Sequence, residues 1–148
     1  MRDLKRELQT ALKAAMRAKD KDRRNAIRLL QSAVKQVEID SRSELDNDAV
    51  LEILQKEAKK RREAIDELER AGRYDDADGE KFELAVIEGF LPRQLTAEEL
   101  RPIVQAAVLE AGATSMKQMG QIMKIVMPKV KGLADGRQVN AIVRELLG

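Results

Sequence analysis

The stretch MPKVKGLADGRQVN, residues 127–140, sets Lys129, Lys131 and Arg137 around Pro128, Gly132 and Gly136. It follows an apolar run rich in methionine and precedes a final amphipathic segment, so it reads as a basic turn between two helices. The rest of the chain supplies helices to hold such a turn and little that could perform chemistry. The functional question is therefore concentrated here.

Composition agrees with a helical frame. Charged residues make up 36% and aromatics 2% of 148 residues, and Leu, Ala, Glu, Lys and Arg dominate. That mixture favours helix and leaves little for a sheet, so we expect an all-α protein. The chain has neither Cys nor His. Their absence removes disulfides, thiolate nucleophiles, Ser-His and Cys-His pairs and zinc sites of the usual kind; we expect no catalytic residue, no cofactor and no metal. No apolar run approaches the roughly 20 residues of a membrane span. The opening MRDLKREL lacks the apolar core of a signal peptide. These features predict a cytoplasmic protein with no membrane partner.

Periodicity predicts the helices one by one. Leu4, Leu8, Ala11, Leu12 and Ala15 form the first stripe, ending near Lys19, and Asp20 can cap a second helix carrying Ile27, Leu30, Val34 and Val37. After the polar turn at residues 40–48, with Asn47 or Asp48 as cap, comes a long helix bearing Leu51, Leu54, Ala58, Ile65 and Leu68. Arg61 interrupts that seam within Lys59-Lys60-Arg61-Arg62, and Glu57 and Glu63 bracket the run, which predicts a solvated, salt-bridged face. The acidic string Asp75, Asp76, Asp78, Gly79, Glu80 resembles part of a calcium loop. The first and twelfth ligand positions would be Tyr74 and Ala85, so the string is better read as a helix start with dipole-compatible carboxylates. That fourth helix runs through Phe82, Leu84 and Ile87 to about Glu88.

Gly89-Phe90-Leu91-Pro92 breaks the pattern, because Pro92 lacks a donor and disfavours α geometry before it. We therefore expect an N-terminal helical domain of about four helices, residues 1–91, and a small three-helix domain, residues 92–148. Thr96 and Glu99 form a capping box with Leu95 and Leu100 as a staple, and Pro102 should kink or delay the helix that follows. Ser115 and Gln118 form another box, opening a helix whose Met116, Met119, Met123 and Met127 should be core. Ile125, nearly opposite, should face the N-terminal helices or a partner. Pro128 should end or bend that helix, and the last one begins near Asp135 with Val139, Ile142, Val143, Leu146 and Leu147 on one face.

Charge is distributed unevenly. Residues 1–90 hold 20 Lys+Arg against 21 Asp+Glu, whereas residues 91–148 hold 8 against 5. Lys117, Lys124, Lys129, Lys131, Arg137 and Arg144 face only Asp135 and Glu145 nearby, a local net of +4. Such a surface suits a polyanion with regularly spaced phosphates. Gly132 and Gly136 would let backbone approach phosphate and expose N–H groups at a helix start, although Asp135 competes for those donors. The same Lys-Gly and Asp-Gly pairs also suit a tight turn with soluble flanks. Tyr74, Phe82 and Phe90 all lie outside the basic segment, which favours a structured RNA over stacked single strands.

Assembled in order, MRAKDKDRRNAIRLL, LQKEAKKRREAIDELERAGR, FLPRQLTAEEL and GATSMKQMGQIMKIVMPKVKGLADGRQVNAIVRELL resemble the YqeY family over essentially the whole length. The last also looks like the tail domain of the B subunit of the tRNA-dependent glutamyl/aspartyl amidotransferase. The resemblance implies an all-helical protein whose three-helix tail contacts tRNA or another structured RNA. An amidotransferase or another protein is the alternative partner. Family-level labels of carbon-nitrogen ligase with glutamine as amido donor belong to the larger enzyme, because no domain for activating a tRNA-linked carboxylate is recognisable here. Motif positions by this resemblance are Met119, Gly120, Pro128, Lys129, Lys131, Gly132, Asp135, Gly136, Val139 and Asn140; the departures are Pro102 and Leu133, where a basic or polar residue is expected.

Overall fold

The computed structural model describes residues 2–148. Among them there are seven α-helices, one 3₁₀ turn and no strand, so the fold is all-α. The chain separates into two compact units, the first running to Leu91 and the second from Pro92 to Gly148. No helix is long and apolar enough to cross a membrane among the described residues.

The first unit holds α1 (Leu4–Arg17), α2 (Lys21–Ser41), α3 (Asn47–Arg70) and α4 (Tyr74–Glu88). Leu4, Leu8, Ala15, Ala26, Ile27, Leu30, Val34, Val50, Leu54 and Ala58 share its core with Val86, Ile87, Phe90 and Leu91. Burial of each large side chain in this set contributes about 2 kcal/mol. Val37 and Phe82, expected on apolar faces, are 39% and 41% exposed. Asp20 caps α2 by accepting the Arg23 N–H at 3.1 Å.

One cap differs from expectation. The N-cap of α3 is Asp46, whose carboxylate accepts the Ala49 N–H at 2.9 Å. Asn47 is thereby released for a longer-range task. Its side-chain oxygen accepts the Leu4 N–H at 3.0 Å and its amide donates to the Arg2 carbonyl, so α3 holds the first turn of α1. The Glu38 carboxylate on α2 likewise pairs with Lys5 of α1 and accepts the Leu45 N–H at 3.0 Å. Those partners, the Lys5 hydrogen bond first, hold its pKa below the usual carboxylate range.

Arg61 is not solvated. Its side chain is only 14% exposed and meets Glu83 at 2.7 Å, Glu57 at 3.5 Å and Glu80 at 3.7 Å. The cation thus sits in the α3 seam because α4 supplies carboxylates there, while Lys59 and Lys60 pair with Glu63 and Glu57 at the surface. On α4, Asp75 and Asp76 occupy the first turn, where the helix dipole favours them.

In the second unit α5 (Ala97–Ala111), α6 (Met119–Val130) and α7 (Gly136–Leu147) pack against one another. Leu100, Val104, Ala107, Ile122, Val126, Val130, Ala134, Val139, Ile142 and Val143 form the core. The methionines are not its centre. Ile122, Val126 and Val130 are fully buried on α6, whereas Met116, Met119, Met123 and Met127 flank them half-buried. Ile125, expected to face elsewhere, packs on this same core. Pro102 lies inside α5 without ending it, and α6 continues past Pro128 to Val130.

Candidate nucleic-acid interface

The turn between α6 and α7 is built against the segment that leads into α5. The Gln94 amide donates to the Pro92 carbonyl at 2.8 Å and to the Gly132 carbonyl at 3.0 Å, and the Leu95 N–H donates to the Leu133 carbonyl at 2.8 Å. The N–H groups of Leu133 and Ala134 both return to the Val130 carbonyl, at 2.8 and 3.1 Å. Gly132 adopts φ +82° in this tight return and is buried. Only glycine takes that conformation without a Cβ penalty.

At Gly132 these contacts run against the expectation that the glycine backbone offers itself to phosphate. Gly132 is enclosed by its own chain. At α7 the Asp135 carboxylate accepts the Gln138 N–H at 2.9 Å and the Gln138 side chain accepts the Asp135 N–H at 2.9 Å, a complete capping box that occupies those two donors. A Cβ at Gly136 would meet Met123 Cε at 3.3 Å, so its close approach serves core packing. Leu133, where a basic or polar residue is expected, is half-buried.

The cations are disposed outward around this fixed turn. Lys117 is exposed on the 3₁₀ turn Met116–Gln118, where the Gln118 side chain accepts the Thr114 N–H at 2.7 Å and the Ser115 N–H at 3.3 Å. On α6 the face opposite Ile122, Val126 and Val130 consists of Gly120, Gln121, Lys124 and Pro128, all exposed. Lys117, Lys124 and Lys131 recur at seven-residue steps along that side. Arg144 is exposed on α7 opposite Val139, Ile142 and Val143; Arg137 is half-buried and Asn140 is also half-buried on that helix.

Electrostatic partners sort these cations. Lys129 meets Glu110 at 3.7 Å in a pair exposed on both sides, which is weak and readily screened. Lys131 and Arg137 have interactions within the fold. Arg101 takes Glu145 at 3.0 Å, and Arg93 takes Glu99 through two bonds of 2.8 and 2.7 Å. Those Arg93 hydrogen bonds, with the Thr96 N–H, pull the Glu99 carboxyl down to about 2. Most acids of the unit are therefore engaged. Lys117, Lys124 and Arg144 make none of these pairs and project into water.

Gln94 has no signature in the sequence beyond its place after Pro92, yet it sets the turn. Its role depends on a contact 38 residues away, which local patterns do not encode.

A family model described as "Yqey-like protein" matches residues 5–147. Two curated relatives are both named "Altered inheritance of mitochondria protein 41, mitochondrial". One, from Pyrenophora tritici-repentis, is 30% identical over 144 residues, covering 95% of this chain and 79% of the relative. The other, from Eremothecium gossypii, is 36% identical over 110 residues, covering 72% of this chain and 60% of the relative.

Proposed function

Starting from the chain's membership of the YqeY-like family, we propose that it is a non-catalytic module that binds structured RNA, tRNA in particular, through its second unit. The observation that carries this reading is the set of exposed cations Lys117 on the 3₁₀ turn, Lys124 on α6 and Arg144 on α7, which make no carboxylate ion pair among the described residues. Nothing in the unit's own core explains Gly120 and Pro128 on that face. A Cβ at Gly120 would meet no atom within 4 Å, and both residues are poor helix formers. Together they keep the lysine face low, so that a sugar-phosphate backbone can approach the charges without displacing bulky side chains.

The likeness of this unit to the amidotransferase tail supports tRNA as the substrate class. Charges on a rigid helical scaffold, with no aromatic nearby, suit shape and backbone recognition of a folded RNA. Such a module works in an aqueous compartment that holds tRNA, the cytoplasm in our reading. Reversing Lys117, Lys124 and Arg144 to Glu in the full chain tests it. With helicity unchanged, tRNA binding followed by anisotropy should be lost at ~100 mM salt; binding equal to wild type would refute the assignment.

A further inference from the structure

The corner between α1 and α2 collects positive charge that the first unit leaves unanswered. Residues 17–28 hold Arg17, Lys19, Lys21, Arg23, Arg24 and Arg28 against Asp20 and Asp22, six cations to two acids. All six are exposed apart from half-buried Arg24. Asp20 is committed as the cap of α2. Several cations elsewhere in the unit meet carboxylates closely: Arg2 and Glu7 at 2.8 Å, Lys60 and Glu57 at 3.1 Å, Arg61 and Glu83 at 2.7 Å, Arg73 and Asp76 at 2.7 Å. None of the corner cations does so among the described residues; Arg24 touches only the neutral Asn25 side-chain oxygen, at 3.3 Å.

Helical geometry lines up part of this charge. Ala26, Ile27, Leu30 and Val34 are the buried face of α2, and Lys21 and Arg28 fall on the opposite one with exposed Asn25 and Ser32 beside them, while half-buried Arg24 lies on its flank. At 1.5 Å per residue the row from Lys21 to Arg28 spans about 10 Å, a rigid comb for consecutive phosphates, and the amide and hydroxyl can bond sugar and phosphate oxygens. Lys19 adds a local irregularity. It holds φ +56° in the return from α1, where the Asp20 N–H reaches the Ala15 carbonyl at 2.9 Å, a position that glycine occupies without strain. The chain carries a cation there despite that cost.

We propose that this corner and the outer face of α2 form a second polynucleotide-binding surface, separate from the second unit and recognising the phosphate backbone of structured RNA. A membrane surface fits less well. A helix lying on lipid needs a free apolar face, and that of α2 is spent on the core, leaving Met16 on α1 and Leu29, Val37 and Ile39 around α2 as scattered exposed side chains.

The test uses the full chain and fluorescently labelled tRNA across a potassium chloride series. Lys21→Glu, Arg24→Glu and Arg28→Glu combined should weaken binding on the order of 10-fold or more and flatten the log-log salt slope by about 2 to 3. The fold should survive, since acids at Lys21 and Arg24 fall in the first turn of α2, where they are favourable, and Arg28 is exposed; the corresponding Gln variant, neutral rather than reversed, should show a smaller loss in the same direction. Lys19→Gly should raise the thermal midpoint and yet weaken binding, an opposition that a merely structural lysine would not produce. Unchanged affinity and slope in a helical triple variant would overturn the proposal, as would loss of binding to phosphatidylserine vesicles with tRNA binding intact. The reversal of Lys117, Lys124 and Arg144 runs in parallel: if it alone weakens binding this corner is excluded, and if the corner variant alone does so the second-unit reading fails while this one stands.

Discussion

Replacing Gly132 by Ala should destabilise the second unit, whereas the same change at Gly136 should not. Gly132 lies at φ +82°, where a Cβ costs about 1–2 kcal/mol. The reduced freedom of the unfolded chain returns part of that, about 0.4–1 kcal/mol. Burial at Gly132, and the bonds from Gln94 and Leu95 that tie the turn at 3.0 and 2.8 Å, prevent the backbone from relaxing to a better φ. A net loss of about 0.5–1.5 kcal/mol is expected, a factor of roughly 2–12 in the folded ratio. Gly136 is the first residue of α7, and an added Cβ there presses only on the terminal methyl of Met123 at 3.3 Å, which can move. Better helix propensity should offset that contact, for a change within about 0.5 kcal/mol. Amide hydrogen exchange of Val126 and Val139 in the full chain reads this locally: acceleration of roughly 2- to 12-fold for Gly132→Ala and little for Gly136→Ala. Equal effects from the two, or less than two-fold for Gly132→Ala, would refute the assignment of the turn as conformationally locked.

Other perturbations follow from particular contacts. Asn47→Ala removes the clamp on the Leu4 N–H and Arg2 carbonyl and should cost about 1–2 kcal/mol, seen as faster exchange of the Leu4 amide before that of the α2 core. Arg61→Met leaves Glu57, Glu80 and Glu83 facing one another and should cost about 2 kcal/mol in urea unfolding, less than a fully buried pair because the two α4 carboxylates are about a third exposed. Glu99 falls from an ordinary 4.5 to about 2 on folding. Its contribution is therefore present above pH ~4.5 and is lost as pH falls towards 2. Thermal midpoints at pH 6 and pH 3 should differ less in Glu99→Gln than in the wild type.

The helical class and several caps were legible because their signals are local. Asp20, Thr96 with Glu99, and Asp135 act within three residues of themselves, and the apolar spacing of α7 maps directly onto Val139, Ile142 and Val143. What could not be read depended on tertiary neighbours. Arg61 looked like a solvated break until α4 brought carboxylates to it, and Asn47 looked like a cap for its own helix while it holds another. On α6 the β-branched residues, not the methionines, take the centre of the core, because the stripe facing α5 and α7 is shifted around the helix from the one chosen by residue type. The basic segment was visible as composition. Its partition into cations paired within the fold and cations left in water required the positions of Glu110, Glu145 and Glu99.

The most direct measurement is the salt dependence of tRNA binding by the full chain and by its Lys117→Glu, Lys124→Glu, Arg144→Glu variant. Each phosphate contact contributes about 0.7–0.9 to the slope of log K against log salt, so the variant should be shallower by about 2 to 3 as well as weaker. Identical slopes at matched helicity would contradict RNA recognition by the second unit.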